Sequence, residues 1–391
     1  MFKHTFFTAL LVFATLVSEA QKPQPILSFA REQRPLPWYK EQAGLWKKEI
    51  DKDNRNATAW LQYFRAVRVV NMQDPDSKKT PEEKDAQLMS IVDDMEKAIP
   101  GTYEYNLSRY SAAGLRDGYE SYLLKAQRLE EGHTEHYDYM VNQGEITRDT
   151  ATRNKYCLKL YESGQVSTGM MNYNRNVLAG LAPGAILITV GDNDTYPAFV
   201  LQAMGFRKDV AVINMSLIRV NSYREKLFKE LGIAPWQMPG DNASAEEAQN
   251  AEKRFEKEFI KTIIANKQER PVYLSLTSAG CDAYAAPLDE HLHLTGLAYK
   301  YSEQPVDDIG ILRRNFEQEY MLDYLKVHFY KDISTDLVQY INLNYVVPML
   351  KLYDHYQLAG ETQRARWIGA YAKEVVKGTE YEQQVTDHLK K

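Results

Sequence analysis

Near the middle of the chain, residues 185–190 (AILITV) and 210–215 (VAVINM) are short runs of aliphatic and β-branched residues, and residues 197–204 between them have helical spacing. A strand, a helix and a second strand in that order allow few folds. The helix must return the chain to its starting edge, so the strands lie parallel and the helix covers one face of their sheet. A longer crossover follows, read as a helix over 222–231, a polar connector at 239–243 and a charged helix ending near Ala265. Residues 271–277 then form a third strand, and residues 291–301 suit a further one. The expected core is an α/β domain over residues 181–305, built on a parallel, Rossmann-like sheet.

On both sides of this core the apolar spacing changes to three and four, the helical period. Trp46, Trp60, Tyr63 and Phe64 mark the first helices, and residues 71–80 (NMQDPDSKKT), followed by Pro81, form a polar connector. The triplet Tyr103, Glu104, Tyr105 recurs as Tyr137, Asp138, Tyr139 at an offset of 34 residues, the period of tetratricopeptide-type helical hairpins. Leu352, Tyr356, Gly360, Ala365 and Ala372 repeat that spacing near the carboxy terminus, although Gly369 stands where such a repeat wants a large aromatic and Lys377 where it often has proline. True repeats and ordinary helical hairpins both fit signals this degenerate. The expected organisation is a signal peptide at 1–20, a helical repeat-like region at 21–180, the α/β domain at 181–305 and a second helical repeat-like region at 306–391. Stacked hairpins present extended surfaces, so a protein partner is expected for them.

The amino-terminal reading rests on Lys3 and His4, a twelve-residue apolar run at 6–17, and Ser18 and Ala20 at the cleavage positions. Twelve residues fall short of the ~20 that span a bilayer. No later segment is both long and uncharged enough, and no cysteine near the cleavage site invites lipid attachment. The expected location is the periplasm or the exterior, without a membrane span. Lys and Arg number 48 against 53 Asp and Glu, a net charge of −5 that leaves no basic field to neutralise phosphates and argues against nucleic acid as a partner. Tyrosine, at 27 residues, is the one compositional excess. Two cysteines, Cys157 and Cys281, are no disulfide framework; pairing and buried free thiols are both open.

In open α/β sheets ligands bind outside the carboxyl ends of the strands. That rule selects residues 191–197 (GDNDTYP), residues 216–221 and residues 277–282. The candidate ligand-binding residues are Asp192, Asn193, Asp194, Thr195 and Tyr196 from the first loop and Ser216, Arg219 and Asn221 from the second. Asp192 and Asp194 supply hard oxygen ligands, so they are candidate ligands for a divalent cation and acceptors for the hydroxyls of a sugar or other small ligand. The competing reading makes Asp194 or Thr195 a helix cap, with Pro197 in the first turn of the helix it starts. His291 and His293 could pair on one face of a strand, but no third metal ligand is identifiable in sequence, and His133 and His136 read as solvated. A nucleophilic role for Cys281 lacks an orienting base in sequence. No nucleophile elbow, dinucleotide fingerprint, Walker loop or H-E-x-x-H motif is present.

Residues 191–197, Val200 to Gln202, Arg207 to Val210, Val212 to Leu217, Arg270 to Tyr273 and Leu294 to Tyr299, in that order, resemble the soluble carboxy-terminal region of a bacterial family of multi-pass membrane proteins. That family carries a domain of unknown function and is related to protein O-mannosyltransferases. The resemblance covers roughly residues 165–305 and implies flanking helical repeats. It does not carry transferase activity with it, because the membrane-embedded half in which a lipid-linked sugar transferase works is not among these residues. The resulting expectation is a secreted or periplasmic binding or scaffold protein, not an enzyme, with a ligand crevice at residues 191–197. The alternative is a metal-dependent enzyme or an accessory factor in glycosyl transfer that uses Asp192 and Asp194.

Overall fold

The structure, a computed structural model, describes residues 22–116, 118–129, 133–234, 245–267, 269–279, 286–326 and 334–390. The leader at 1–20, the connector at 239–243 and Cys281 lie outside the described residues. The described residues divide into two compact units, one made of those up to Ile26 with Arg34–Pro100, the other of Leu27–Gln33 with those from Gly101 onward. Residues 21–180, expected as one helical region, are therefore shared between the two.

The first unit holds helices α1 (Leu36–Lys52), α2 (Ala57–Gln73) and α3 (Pro81–Ala98). Asn56 caps α2 by accepting from the Ala59 N–H at 3.0 Å. Thr80 and Glu83 close a reciprocal capping box on α3, with Pro81 at its first position. The polar connector at 71–80 thus ends where its own sequence caps the next helix. Tyr39, Ile50, Phe64, Val92 and Met95 form the core, and the Ile26 N–H donates to Gln62 Oε1 at 2.5 Å.

The second unit opens with helical hairpins. α4 (Tyr103–Ala113) and α5 (Glu120–Leu129) form one, α6 (Tyr137–Thr147) and α7 (Thr150–Glu162) the next, and α8 (Thr168–Ala179) follows. The 34-residue echo is real in the fold, since Tyr103 and Tyr137 are the first residues of two helices of 11 residues each. Thr102, Asp149 and Ser167 cap α4, α7 and α8 with their side-chain oxygens. Gly144 lets α6 and α7 touch: a Cβ there would lie 2.5 Å from the Arg153 backbone nitrogen.

Strands β1 (Ile186–Thr189) and β2 (Ala211–Asn214) are joined by α9 (Asp192–Ala203), the expected strand, helix, strand unit with parallel pairing. After α10 (Asn221–Leu231) and α11 (Ala245–Ala265), β3 (Val272–Ser275) pairs parallel to the other side of β1. A wholly parallel sheet is not what forms. Residues 291–301 make two strands, β4 (Leu292–Leu294) and β5 (Ala298–Tyr301), around a turn at Gly296, φ +148°. A connection that short can only make an antiparallel hairpin, and β5 then pairs antiparallel with β3. The result is a small mixed sheet in the order β2-β1-β3-β5-β4 within a mostly helical protein. Ile186 and Ile188 face Tyr223, Phe228, Phe255 and Phe259 of α10 and α11 in one core cluster. Thr189, on the opposite side of β1, meets Thr195 of α9 at 2.7 Å.

Beyond α12 (Leu276–Ala279), the chain continues through α13 (Asp308–Arg314), α14 (Thr335–Asn342), the hairpin of α15 (Val346–Leu358) and α16 (Thr362–Val376), and α17 (Glu382–His388). Leu352, Tyr356, Ala365 and Ala372 are all 0–1% exposed, and Gly360, φ +72°, makes the turn between the two helices of the hairpin. Gly369 is small because Tyr353 and Leu389 pack where its side chain would be. Part of the tyrosine excess is buried here. Tyr345 accepts from Asn176 at 2.8 Å, Tyr324 donates to Asn342 at 2.8 Å, and Tyr173 accepts from Asn344 at 3.0 Å, so the rings fill volume while each hydroxyl finds a partner. Among the described residues no helix is long and apolar enough to cross a membrane.

Candidate functional site

Helix α9 starts at Asp192, not at Pro197 as the cap-and-proline pattern suggests. Pro197 thus falls in the second turn, where it cannot donate to the carbonyl of Asn193 four residues back. Asn174 of α8 replaces the missing donor: its Nδ2 group gives one bond to the Asn193 carbonyl at 2.8 Å and another to the Met170 carbonyl at 3.0 Å. Asn174 is only 1% exposed, so no solvent route substitutes easily. Asn174→Ala is expected to lower stability by about 1–3 kcal/mol through the orphaned carbonyl. An unchanged urea midpoint for that variant would refute this account of how α9 accommodates its proline.

The two aspartates of the loop part company. Asp194, 3% exposed, turns back beneath the helix and accepts from the N–H groups of Gly191 at 2.7 Å and Val190 at 3.2 Å. Its carboxylate also accepts from the hydroxyls of Ser275, at 3.1 Å, and of Thr277, which joins β1 to the end of β3. Gly191 has no side chain to return the bond, so only the acidic half of a capping box is present. Burial pushes the Asp194 carboxyl up, outweighing the hydroxyl and N–H donors that pull it down. Thr195 is fully buried, with its hydroxyl between Thr189 and Asn214. In this small sheet the crevice at the strand ends is filled by the protein's own carboxylate and hydroxyls.

Asp192 stays at the surface, and with Asn193 and Tyr196 it lines a cleft of about 40 Å³. Asp138 of α6, Gln165 and Ser167 ahead of α8, Met170 of α8, Ser334, and Ser28, Ala30 and Arg31 of the Leu27–Gln33 segment complete most of the wall. That volume holds a few water molecules or the tip of a ligand, well below the several hundred Å³ of a site that engulfs a drug-sized molecule. The Tyr196 hydroxyl is buried and held far above the usual phenol range by that burial, with the Asp192 and Asp138 carboxylates acting in the same direction. It is a hydrogen-bonding group and not an acid at neutral pH.

The other sequence candidates lie elsewhere. Ser216 donates to the Val190 carbonyl at 3.2 Å, Arg219 pairs with Glu256 at 2.9 Å, and Asn221 accepts from Arg224. None of the three lines the cleft. Asp192 and Asp194 do not converge, and among the described residues no group of three or more His, Cys, Asp or Glu side chains is placed to hold a metal ion. His136, read as solvated, is buried between Tyr103, Tyr137 and Tyr156. His293 meets the Ser302 carbonyl and His291 the ring of Tyr301. Cys157 is a free, buried thiol whose burial pushes it up to about 12, so it is no nucleophile. The basic residues of the sequence signature are also structural. Arg207 donates to the carbonyls of Leu178, Leu181 and Ala182, and Arg270 to those of Gly184 and Ala185, closing the amino-terminal edge of the sheet.

Sequence reading missed Asp138, Gln165, Ser167 and the Leu27–Gln33 segment. The one usable signal was Asp138, which sits at the centre of the second of the two Tyr-acid-Tyr triplets.

Fold and site together define a protein of helical hairpins and a small mixed sheet, with a small cleft at the amino end of α9. Residues 170–232 match the family model described as TMEM260-associated domain 2. The match runs from within α8 through β1, α9 and β2 to the glycine after α10, so it includes the whole 191–197 loop. A comparison with curated proteins finds no match.

Proposed function

We propose that this chain is an exported, periplasmic or secreted, binding or scaffold protein. Its tetratricopeptide-like hairpins receive a protein partner, and the cleft at Asp192 takes the polar end of a small, hydroxyl-bearing ligand. The observation that carries the reading is the separation of the loop's two acids. Asp194 serves the fold, whereas Asp192 is exposed on a cleft where Asp138, Asn193, Gln165 and Ser167 offer donors and acceptors suited to hydroxyls beside a larger apolar lining that includes Leu160, Val166, Met170 and Pro197. Thermal-shift and calorimetric titration of the protein with a monosaccharide and nucleotide-sugar panel tests it. Binding should appear in the wild type and fall at least tenfold in Asp192→Asn, while the melting temperature without ligand changes little. A panel that binds nowhere, or binds Asp192→Asn unchanged, removes the cleft from the proposal.

A second reading, an accessory role in glycosyl transfer, rests on the resemblance carried by residues 191–197. It predicts preference for an activated sugar over the free sugar in the same titration.

A further inference from the structure

The wall of the cleft is made of two unlike materials. Leu160 of α7, Met170 of α8, and Tyr196 and Pro197 of α9 are buried side chains on regular helices. Ser28, Ala30 and Arg31 come instead from Leu27–Gln33, an irregular stretch in which no residue is buried. That stretch closes on itself, because the Ser28 carbonyl accepts from the N–H groups of Arg31 and Glu32 at 2.9 and 3.0 Å. It meets the rest of its unit at Ser334, whose hydroxyl donates to the Arg31 carbonyl at 2.9 Å. On either side the chain is fixed in the other unit: the Ile26 N–H donates to Gln62, and the Arg34 N–H to the Tyr39 hydroxyl at 3.2 Å. A short stretch with little buried surface, between two fixed ends, is the kind that opens locally while the elements around it stay folded.

We infer that Leu27–Gln33 is a lid on this cleft, hinged next to Ile26 and Arg34, which lifts to admit a ligand and closes on the empty site. The apolar part of the lining gives the lid its purpose. Leu160, Val166, Met170 and Pro197 are unfavourable to leave in water, so an empty cleft is better covered than open. Closed, the cleft measures about 40 Å³ and holds the tip of a ligand; lifting one wall enlarges it without moving a helix. The lid rests on the reading of the cleft as a site for what it admits, but its opening is measured without any ligand, so a failed sugar titration and a failed lid are told apart.

The test is the rate at which a small thiol reagent labels Met170→Cys, in the full chain carrying Cys281→Ser. Met170 is 3% exposed in the cleft wall, so its replacement is reached when the wall opens, and Cys157, fully buried on α7 and absent from the cleft lining, reports general loosening in the same sample. Ser334→Ala removes the bond to the Arg31 carbonyl and should raise the labelling rate at position 170 about fivefold, the effect of one ordinary hydrogen bond on an opening equilibrium. Labelling of Cys157, followed by peptide mass, should not change. Equal rates at position 170 with and without Ser334→Ala overturn the lid, as does a rise shared by Cys157, which would mean that the whole unit loosens. Should Met170→Cys lose the wild-type circular dichroism, Leu160→Cys, 4% exposed at the native residue in the same wall, takes its place with the same two outcomes.

Discussion

Glu145→Ala is expected to lower the stability of the protein by about 3–5 kcal/mol, the range for removing one partner of a buried ion pair. Glu145 is 1% exposed and is held on both oxygens. Arg153 of α7 reaches one at 2.6 Å, and Arg148 and the Tyr223 hydroxyl of α10, the latter at 3.1 Å, share the other. The acid thus ties the α6/α7 hairpin to the helix that covers the sheet. Its loss strands two guanidinium groups unequally. Arg148, at the left-handed end of α6, keeps Glu230 at 2.7 Å, whereas Arg153 keeps only the face of Phe199, 4.7 Å away, and its neighbour Asn154. Restoring the shape without the charge, Glu145→Gln, should recover only part of the loss, because an amide can accept from one arginine but not balance two. Urea denaturation of both variants measures this. A loss below about 1 kcal/mol for Glu145→Ala would show that Arg148 and Arg153 find water, and that the pairing contributes geometry and not stability.

How much of this was legible beforehand follows from what each residue type reports. The strand, helix, strand core was readable because β-branched runs and helical spacing are local signals, and the pairing of β1 with β2 and then β3 follows from chain geometry. The hairpin of β4 and β5 was not, because residues 291–301 read as one strand until Gly296 is known to take φ +148°, a conformation that sequence permits but does not require. The start of α9 was misplaced for a similar reason. Proline signals a first turn on average, but here Asn174, from another helix, satisfies the carbonyl that Pro197 orphans. Two acids separated by one residue looked equivalent in sequence. On a helix they are about 200° apart, so one faces the sheet and the other solvent. Nothing local could reveal Asp138, Ser334 or the Leu27–Gln33 segment, which reach the cleft from distant parts of the chain.

That division between the two acids makes Asp194→Ala the second large effect, about 3 kcal/mol or more of destabilisation. The substitution removes the acceptor of the part-buried N–H groups of Val190 and Gly191, each loss costing up to about 1–3 kcal/mol. Ser275 and Thr277, 2.8 Å apart, can partly satisfy each other, so they contribute less. Asp194→Asn is the more informative partner, because it separates shape from ionisation. Burial raises the folded-state carboxyl above its ordinary value of 3.8, so the folded protein holds this proton more tightly than the unfolded chain does. The stability that Asp194 adds by this route is complete below the ordinary carboxyl value and declines as pH rises through the raised one. The asparagine variant lacks that decline. The gap between wild type and Asp194→Asn should therefore be widest in acid and narrow toward neutral pH, in urea titrations at several pH values. A gap that widens as pH rises would mean that the donors on Asp194 outweigh its burial and that the buried group is a carboxylate throughout. In either case Asp192→Asn, tested alongside, should leave stability within about 0.5 kcal/mol of wild type at every pH, as expected for an exposed position. A site acid and a fold acid standing two residues apart would then be distinguished by measurement.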